Sequence, residues 1–427
     1  MESGNNNTVN KSQSNKESEK KNNDNNNHSS KNAKKKILDN IVIKSVQCSK
    51  TTVGRTAKIL DCIMSGNKSE LISFCESGLP DDLHVLRSLI WKINLNYLPL
   101  NFEEWDRVLS SQRKSYECYK NSVIEKLSQE LKLFDGYENM TSEQKKNLDK
   151  TTSKVILEEI CKDTNRTHNE MNFFFRPIDN SNTFTEKEVV QLFEKKRNCT
   201  LKDINSTYKI NIVLTHCDVI SRILFIYSKF EPDISYVQGM NEILAPIYYC
   251  FSFDKLDENE TINDVEADAF WSFYHLMEKL KYLFDQNEDK HDRGIFGKIQ
   301  RLKLMLKNID IQLYNRLEKI GFDFSIIAFK WINLLFSQDF VMVDLLRLWD
   351  YFLCKDDKFE NVYYFCLSIF LMKKEFIMKS EINVIYENFQ NIREMDVESI
   401  ISNAIYIASK RNKKFTEIIN ADYRNQG

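Results

Sequence analysis

The sequence predicts an all-α protein, and three observations carry this prediction. Only 10 glycines and 5 prolines occur among 427 residues. Both residue types interrupt regular structure, so their scarcity favours long helices over a turn-rich β architecture. Apolar residues recur at helical intervals along most of the chain, for example Val219, Ile223, Ile226 and Phe230. Because these segments show no fixed-period repeat, we expect an irregular multi-helix domain and not a solenoid.

The helical periodicity predicts individual elements in chain order. The first helix spans 57–76, and the next begins near Leu83 and stops before Pro99. The pattern then predicts helices over 102–134, 155–163, 212–230 and 243–253, followed by 265–286, 293–307, 310–319, 323–336, 341–353, 359–374, 381–390 and 396–408.

Composition also predicts how the chain is divided. The first 36 residues are rich in Asn and Lys and nearly free of apolar side chains, which is typical of a disordered tail. Two stretches inside the chain are polar and irregular, and we expect them to be surface insertions. The predicted segments are a tail at 1–36, a helical extension at 37–75, a main domain at 76–410 with insertions near 135–153 and 176–210, and a C-terminal tail at 411–427.

Charge and cysteine usage exclude several classes of protein. The 60 basic and 62 acidic side chains leave a formal net charge of −2, so no overall attraction to nucleic acid is expected. The ten cysteines form no zinc-site spacing, which favours a reducing, cytoplasmic compartment and no metal site. The N-terminus lacks the apolar core of a signal peptide. The best candidate span, Val362 to Met372, is about half the length that a bilayer requires, so any membrane contact is peripheral.

The usual enzyme signatures, such as phosphate-binding loops and zinc-protease motifs, are absent from the sequence. His216, Cys217 and Asp218 are adjacent, but neighbours in a helix point in different directions, so we expect no catalytic triad there. What remains is a set of polar residues on helices, namely Arg87 with Trp91, Asp163 with Arg166, Tyr236 with Gln238, and Arg347 with Asp350.

Each of these pairs also has a purely structural interpretation. Arg87 and Trp91 stand four residues apart on one helix face, as in an ordinary cation stacked on an aromatic ring. Asp163 and Arg166 form a solvated ion pair near a helix end in that view. The stretch from Ser235 to Tyr249 is then a connector between two apolar helices, with Gly239 as its turn.

The functional interpretation joins an exposed arginine to an exposed amide. Phosphoryl transfer to water needs a cation that stabilises charge developing on the phosphate oxygens, and a group that positions the attacking water. An arginine supplies the first and a glutamine the second.

Three motifs in the expected order resemble the TBC domain of Rab GTPase-activating proteins. They are Arg87-x-x-x-Trp91, Ile160-x-x-Asp163-x-x-Arg166 and Tyr236-x-Gln238-Gly239. Supporting stretches look most similar to the subgroup of TBC domain family member thirteen, and the resemblance extends over about 76 to 410. It implies an all-helical TBC domain in two helical subdomains.

The resemblance also implies roles for these residues. Arg166 would be an arginine finger and Gln238 a glutamine finger, both entering the nucleotide site of a GTP-bound Rab in trans. The supporting residues would be Asp163, which holds Arg166, Tyr236, which packs beneath the Gln238 loop, Gly239, which allows the turn, and Arg87 and Trp91, which support the fold. GTP and Mg²⁺ would be carried by the Rab, so the chain would need no cofactor of its own. Such a protein switches off vesicle-trafficking Rabs and would be cytoplasmic, with transient recruitment to endomembranes.

One departure and two alternatives accompany this interpretation. The family commonly has a proline soon after the finger arginine, and here His168 follows Thr167. The first alternative is a non-catalytic scaffold that binds a Rab through the same surface. The second is a helical adaptor unrelated to GTPases, which would require the matching motifs to be accidental.

Overall fold

The computed structural model describes residues 33–134, 152–178 and 214–410, apart from short gaps at 254–255, 258, 286, 289–290, 292–293 and 356–358. These residues form eighteen α-helices and two short 3₁₀ helices, and no strand longer than one isolated bridge between Pro177 and Thr215. The all-α class predicted from the sequence is therefore confirmed. None of these helices combines the length and the apolar character needed to cross a bilayer.

The helices are numbered in chain order. The first nine are α1 (Ala33–Ser45), α2 (Lys50–Ser65), α3 (Lys68–Glu76), α4 (His84–Asn94), α5 (Trp105–Phe134), α6 (Thr152–Thr164), α7 (Asn172–Phe175), α8 (His216–Phe230) and α9 (Met240–Phe253). The other nine are α10 (Ile262–Leu280), α11 (Ile295–Ile309), α12 (Ile311–Lys319), α13 (Ser325–Asn333), α14 (Met342–Leu353), α15 (Glu360–Met372), α16 (Lys374–Lys379), α17 (Ile382–Gln390) and α18 (Val397–Ser409).

The helix predicted over 57–76 is in fact two helices, α2 and α3. Gly66 adopts a left-handed φ of +69° and its N–H bonds back to the carbonyls of Cys62 and Ile63. This is a common way for a helix to end, because glycine tolerates that conformation without steric cost. Asn67 then begins α3 by accepting a hydrogen bond from the backbone N–H of Glu70. The apolar periodicity continues across the break and so did not reveal it.

Two apolar cores hold the helices together. The smaller one is formed by α1–α4 and the beginning of α5, and the larger one extends from α4 and α5 to α18. Buried ion pairs connect the helices across the larger core: Lys92 on α4 bonds Asp268 on α10 at 2.7 Å, and Arg222 on α8 bonds Glu266 on α10 at 2.6 Å. Helix α8 packs against both α6 and α9. It therefore fixes the end of α6 relative to the start of α9, where the polar motifs lie.

Several predicted segments lie mostly or wholly outside the described residues. These are the N-terminal tail, the two insertions and the C-terminal tail at 411–427. The last residues of the predicted N-terminal tail belong to α1, which begins at Ala33. The backbone N–H of Lys34 donates to Asp106 on α5 at 2.7 Å. Helix α6 begins at Thr152, three residues before the predicted start at Val155.

Candidate functional site

The end of α6 presents Arg166 to solvent while keeping Asp163 buried. The helix stops at Thr164, whose hydroxyl bonds the Ile160 carbonyl at 3.0 Å and the Ser221 hydroxyl on α8 at 2.7 Å. In the turn that follows, the Arg166 side chain is 59% exposed, whereas that of Asp163 is 8% exposed. Arg166 Nη2 donates to Asp163 Oδ1. The carboxylate thus orients a guanidinium on a largely exposed side chain.

Tyr236 holds the other oxygen of Asp163. Its phenol donates to Asp163 Oδ2 at 2.6 Å, so the carboxylate is bonded on both sides. Burial and this hydrogen bond raise the pKa of Tyr236 above its usual range, which keeps the phenol protonated. Tyr236 was expected to pack beneath the Gln238 loop. It also bonds directly to Asp163, the residue that orients Arg166.

Gly239 makes the turn that carries Gln238. Its φ is +103°, a conformation that residues with a side chain rarely adopt. A Cβ at this position would lie 2.8 Å from Leu334 Cδ2, just after α13, so the Leu334 side chain would have to shift as well. The Gly239 N–H donates to Asn241 Oδ1 at 3.1 Å, and Gln238 next to it is exposed.

A cleft of about 560 Å³ brings the main predicted residues together. Its lining includes Asp163, Arg166, Gln238 and Gly239. Two segments that lie far apart in the sequence therefore present a guanidinium and an amide to one concave surface. This arrangement has the two polar groups that a hydrolytic phosphoryl transfer requires.

Arg87 and Trp91 do not line this cleft. Both bind the buried carboxylate of Asp350 on α14, Arg87 Nε at 3.1 Å and Trp91 Nε1 at 2.8 Å. The suggested stacking of Arg87 on Trp91 is replaced by stacking of Trp91 on Trp349, with ring centroids 5.7 Å apart. These contacts lie within the core that joins α4 to α14.

The pairing suggested between Arg347 and Asp350 also takes another form. Arg347 Nε bonds Glu398 on α18 at 2.5 Å, and Arg347 Nη2 bonds the carbonyl of Glu76 at 2.8 Å. Asp350 instead accepts a hydrogen bond from Arg87 on α4. Closeness in the sequence did not predict the partners of Arg347 and Asp350, because α14 is buried on several sides.

His168 lies close to the position at which the family commonly has a proline. It adopts a φ of +42°. Proline fixes φ near about −65° and so could not occupy this position without changing the turn. The imidazole is buried, stacks on Phe174 with ring centroids 5.8 Å apart, and lies 3.8 Å from Glu242. This loop is therefore held by packing of the His168 ring, and not by the fixed φ of a proline.

The sequence analysis assigned no role to two residues beneath the Gln238 turn. Asn241 Nδ2 donates to the Thr167 hydroxyl at 2.7 Å, which joins the Gln238 turn to the Arg166 turn. Glu242 is 6% exposed, and burial raises its pKa to about 7. The available signal was two polar residues that follow Gly239 and Met240, in the first turn of an otherwise apolar helix.

Replacing Glu242 with glutamine is expected to change how stability depends on pH. The pKa of Glu242 is raised in the folded state, so the folded protein binds more protons than the unfolded chain between about pH 4.5 and 7. This contribution to stability is complete below about pH 4.5 and is lost as the pH rises through 7. Relative to wild type, Glu242→Gln should therefore gain about 2–3 kcal/mol in unfolding free energy between pH 5 and 8. Denaturant titrations at the two pH values test this, and a constant difference between the variants would contradict it.

The cluster of His216, Cys217 and Asp218 does not form a catalytic triad. His216 Nδ1 bonds the Tyr248 hydroxyl at 2.8 Å, and Asp218 accepts from the Thr215 backbone at 2.7 Å in a helix cap. Burial lowers the pKa of His216 to about 4, so the ring stays neutral. In the part of the chain that the structure describes, no group of His, Cys, Asp and Glu side chains is arranged to hold a metal ion.

Comparison with known proteins gives a consistent result. Residues 179–378 match the model of the Rab-GTPase-TBC domain. Gln238 lies inside that range, whereas Arg166 precedes it. TBC1 domain family member 13 from Homo sapiens is 30% identical over 368 residues, which cover 77% of this chain and 90% of that protein. The Mus musculus protein of the same name matches equally, at 30% identity and with the same coverage.

More distant relatives share the fold. The GTPase-activating protein GYP1 from Saccharomyces cerevisiae is 23% identical over 67% of this chain and 37% of its own length. The crystal structure of the Ypt/Rab-GAP domain of Gyp1p superposes with a TM-score of 0.60 over 84% of this chain and 99% of that domain, at 19% identity. The resemblance stated from the motifs, including its subgroup, is confirmed by these matches. The chain belongs to the family of proteins built on the Rab-GTPase-TBC domain.

Proposed function

We propose that this protein is a GTPase-activating protein for a Rab-family small GTPase and that it supplies Arg166 and Gln238 in trans. The observation that carries the proposal is the cleft in which both side chains are exposed and in which Asp163 orients the arginine. Membership of the TBC family and the relative named as a GTPase-activating protein support the class of partner.

The two residues have complementary tasks in this proposal. Water attacks the γ-phosphorus of GTP while the bond to the β–γ bridging oxygen breaks, leaving GDP and inorganic phosphate. Negative charge that develops on the phosphate oxygens is stabilised by the guanidinium of Arg166. The amide of Gln238 accepts from and donates to the attacking water and so fixes its direction of approach.

The partner is the GTP-bound state of the Rab, which carries its own nucleotide and Mg²⁺. The TBC chain therefore contributes side chains and no cofactor. We further propose that the protein is cytoplasmic and is recruited transiently to endomembranes through its Rab.

A hydrolysis screen tests the proposal. Purified protein is added to a panel of GTP-loaded Rabs from the source cell, and phosphate release is followed for wild type and for Gln238→Ala. We expect at least one Rab to be accelerated, and the variant to lose about 10²-fold of that acceleration, the usual effect of removing one preorganised hydrogen-bonding group. Gln312→Ala, at an exposed glutamine on α12, is the matched control and should retain full activity.

Two outcomes would contradict the proposal. If no Rab is accelerated, the protein is not a GTPase activator for this family. If wild type binds a GTP-loaded Rab tightly without changing its hydrolysis rate, the protein is a non-catalytic scaffold that uses the same surface.

A further inference from the structure

The end of α1 carries a group of exposed aliphatic side chains. Val42, Ile43 and Val46 are 48%, 63% and 70% exposed. The backbone N–H of Val46 donates to the Val42 carbonyl at 3.2 Å, so the three side chains lie within one helical turn of each other. We call these three residues the α1 patch. Aliphatic surface concentrated in this way favours contact with an apolar phase or partner.

The opposite face of α1 is attached to the rest of the chain. Ile37 and Ile41 are buried in the smaller core. The side-chain amide of Asn40 donates to the Leu256 carbonyl at 2.8 Å. These contacts fix the rotation of the helix about its axis. The α1 patch is therefore held facing outward and cannot turn into the core.

Exposed lysines lie on both sides of the α1 patch. Residues 33–50 contain five lysines and one acidic side chain, Asp39, in a chain whose formal net charge is −2. Lys35 and Lys36 are exposed two helical turns before the patch, and Lys50, at the start of α2, is exposed after it. The aliphatic side chains therefore lie within a positively charged part of the surface.

Acidic groups at the start of α5 do not cancel this charge. Glu103 contacts the ammonium of Lys34, and Glu104 pairs with Arg107 at 2.7 Å. Asp106 accepts from the backbone N–H of Lys34 and keeps its negative charge. With Asp39 it leaves two acids against Lys35, Lys36 and Lys50, so the surface around α1 remains positive.

We propose that the α1 patch docks on the surface of a membrane that contains anionic lipid. The aliphatic side chains enter the boundary between the headgroups and the acyl chains, and the lysines lie against the negatively charged headgroups. Positive charge on both sides of the patch favours this partner, because an anionic bilayer presents a uniform negative surface to every lysine at once. The inference adds a direct contact with lipid and does not depend on activity towards a GTPase.

Co-sedimentation of the full chain with lipid vesicles tests the proposal. One set of vesicles contains phosphatidylserine and phosphatidylcholine in equal amounts, and the other contains phosphatidylcholine alone. Because the patch is small, binding should be weak and reversible, so a wide range of lipid concentrations is needed. We expect wild type to bind the anionic vesicles at least about tenfold more tightly than the neutral ones, and less tightly as the salt concentration rises.

A first pair of variants tests the aliphatic contact. Ile43→Ser with Val46→Ser should lower the partition coefficient on anionic vesicles about tenfold, because two partly buried aliphatic side chains are lost. Ile311→Ser with Val343→Ser is the matched control, since these side chains are 50% and 66% exposed on α12 and α14. The control should bind like wild type, and both variants should keep the wild-type Tm.

A second pair tests the charges. Lys35→Ala with Lys36→Ala should lower the partition coefficient on anionic vesicles about tenfold or more and should leave the weak binding to neutral vesicles unchanged. Lys319→Ala with Lys379→Ala removes the same net charge at exposed positions on α12 and α16 and should bind like wild type.

Three results would overturn the proposal. The first is wild type that binds anionic vesicles no better than neutral ones. The second is an Ile43→Ser, Val46→Ser variant that binds like its control, because charge alone would then attach the protein. The third is a wild-type dimer in sedimentation velocity that this variant converts to a monomer, with no vesicle binding by either, which would assign the patch to a second copy of the chain. Phosphate release measured without vesicles should be the same in all these variants, so failure of the lipid contact leaves the proposed function standing.

Discussion

Replacing Arg166 with alanine is expected to reduce the acceleration of Rab GTP hydrolysis by about 10³-fold or more, the usual contribution of an arginine supplied in trans. The side chain is 59% exposed and its bond is to Asp163 three residues away. The substitution therefore removes a group from the cleft without opening the core. Single-turnover phosphate release, with the TBC protein in excess over GTP-loaded Rab, measures the change directly.

Two further variants make this result specific. Arg107 is an exposed arginine that also pairs with an acid three residues earlier, Glu104, at 2.7 Å. Arg107→Ala should keep full activity, since it removes an exposed arginine, paired at the same sequence spacing, that does not line the cleft. Arg166→Lys keeps the charge but loses the planar fork that matches phosphate oxygens, so it should recover only a small part of the activity. Wild-type activity in Arg166→Ala would exclude the arginine-finger mechanism.

Local relations in the site were predictable from the sequence. Asp163 and Arg166 stand three apart at a helix end, a spacing at which side chains meet without help from the rest of the fold. Gly239 between two apolar helices predicted a turn, and the structure shows a φ of +103° there. Most helices were predicted for the same reason, because periodicity reports which face of a segment is buried.

Relations between distant segments were not predictable from one sequence. Asp350 is 263 positions away from Arg87, and the sequence placed it beside Arg347 instead. Phe329, Lys330 and Asn333 of α13 line the cleft beside Gln238, although the two segments lie far apart in the sequence. The short helix α16 was missed because its six residues are too few to show a helical period. For the distant segments tertiary packing decides the outcome, and periodicity carries no information about which helices meet.

Replacing Asp350 with alanine is expected to lower the free energy of unfolding by about 3–5 kcal/mol, the usual cost of removing one member of a buried ion pair. Asp350 is fully buried and Arg87 is 2% exposed, so Arg87 would keep only its second partner, Asp81, whose side chain is 69% exposed. The Trp91 indole N–H loses its acceptor, and the Leu79 N–H loses a bond of 3.4 Å. Urea unfolding followed by circular dichroism measures the change.

The double variant Arg87→Met with Asp350→Leu should recover much of this stability, because it removes both charges and fills the space with apolar atoms. Glu278→Ala, which breaks an exposed pair with Lys281 at 3.1 Å, is the control and should cost less than about 1 kcal/mol. Neither Arg87 nor Asp350 lines the cleft, so the folded fraction of each variant should keep the wild-type kcat. A double variant as unstable as Asp350→Ala would show that packing at this position, and not the unpaired charge, causes the loss. A large fall in kcat with normal stability would instead assign Arg87 and Asp350 to the reaction.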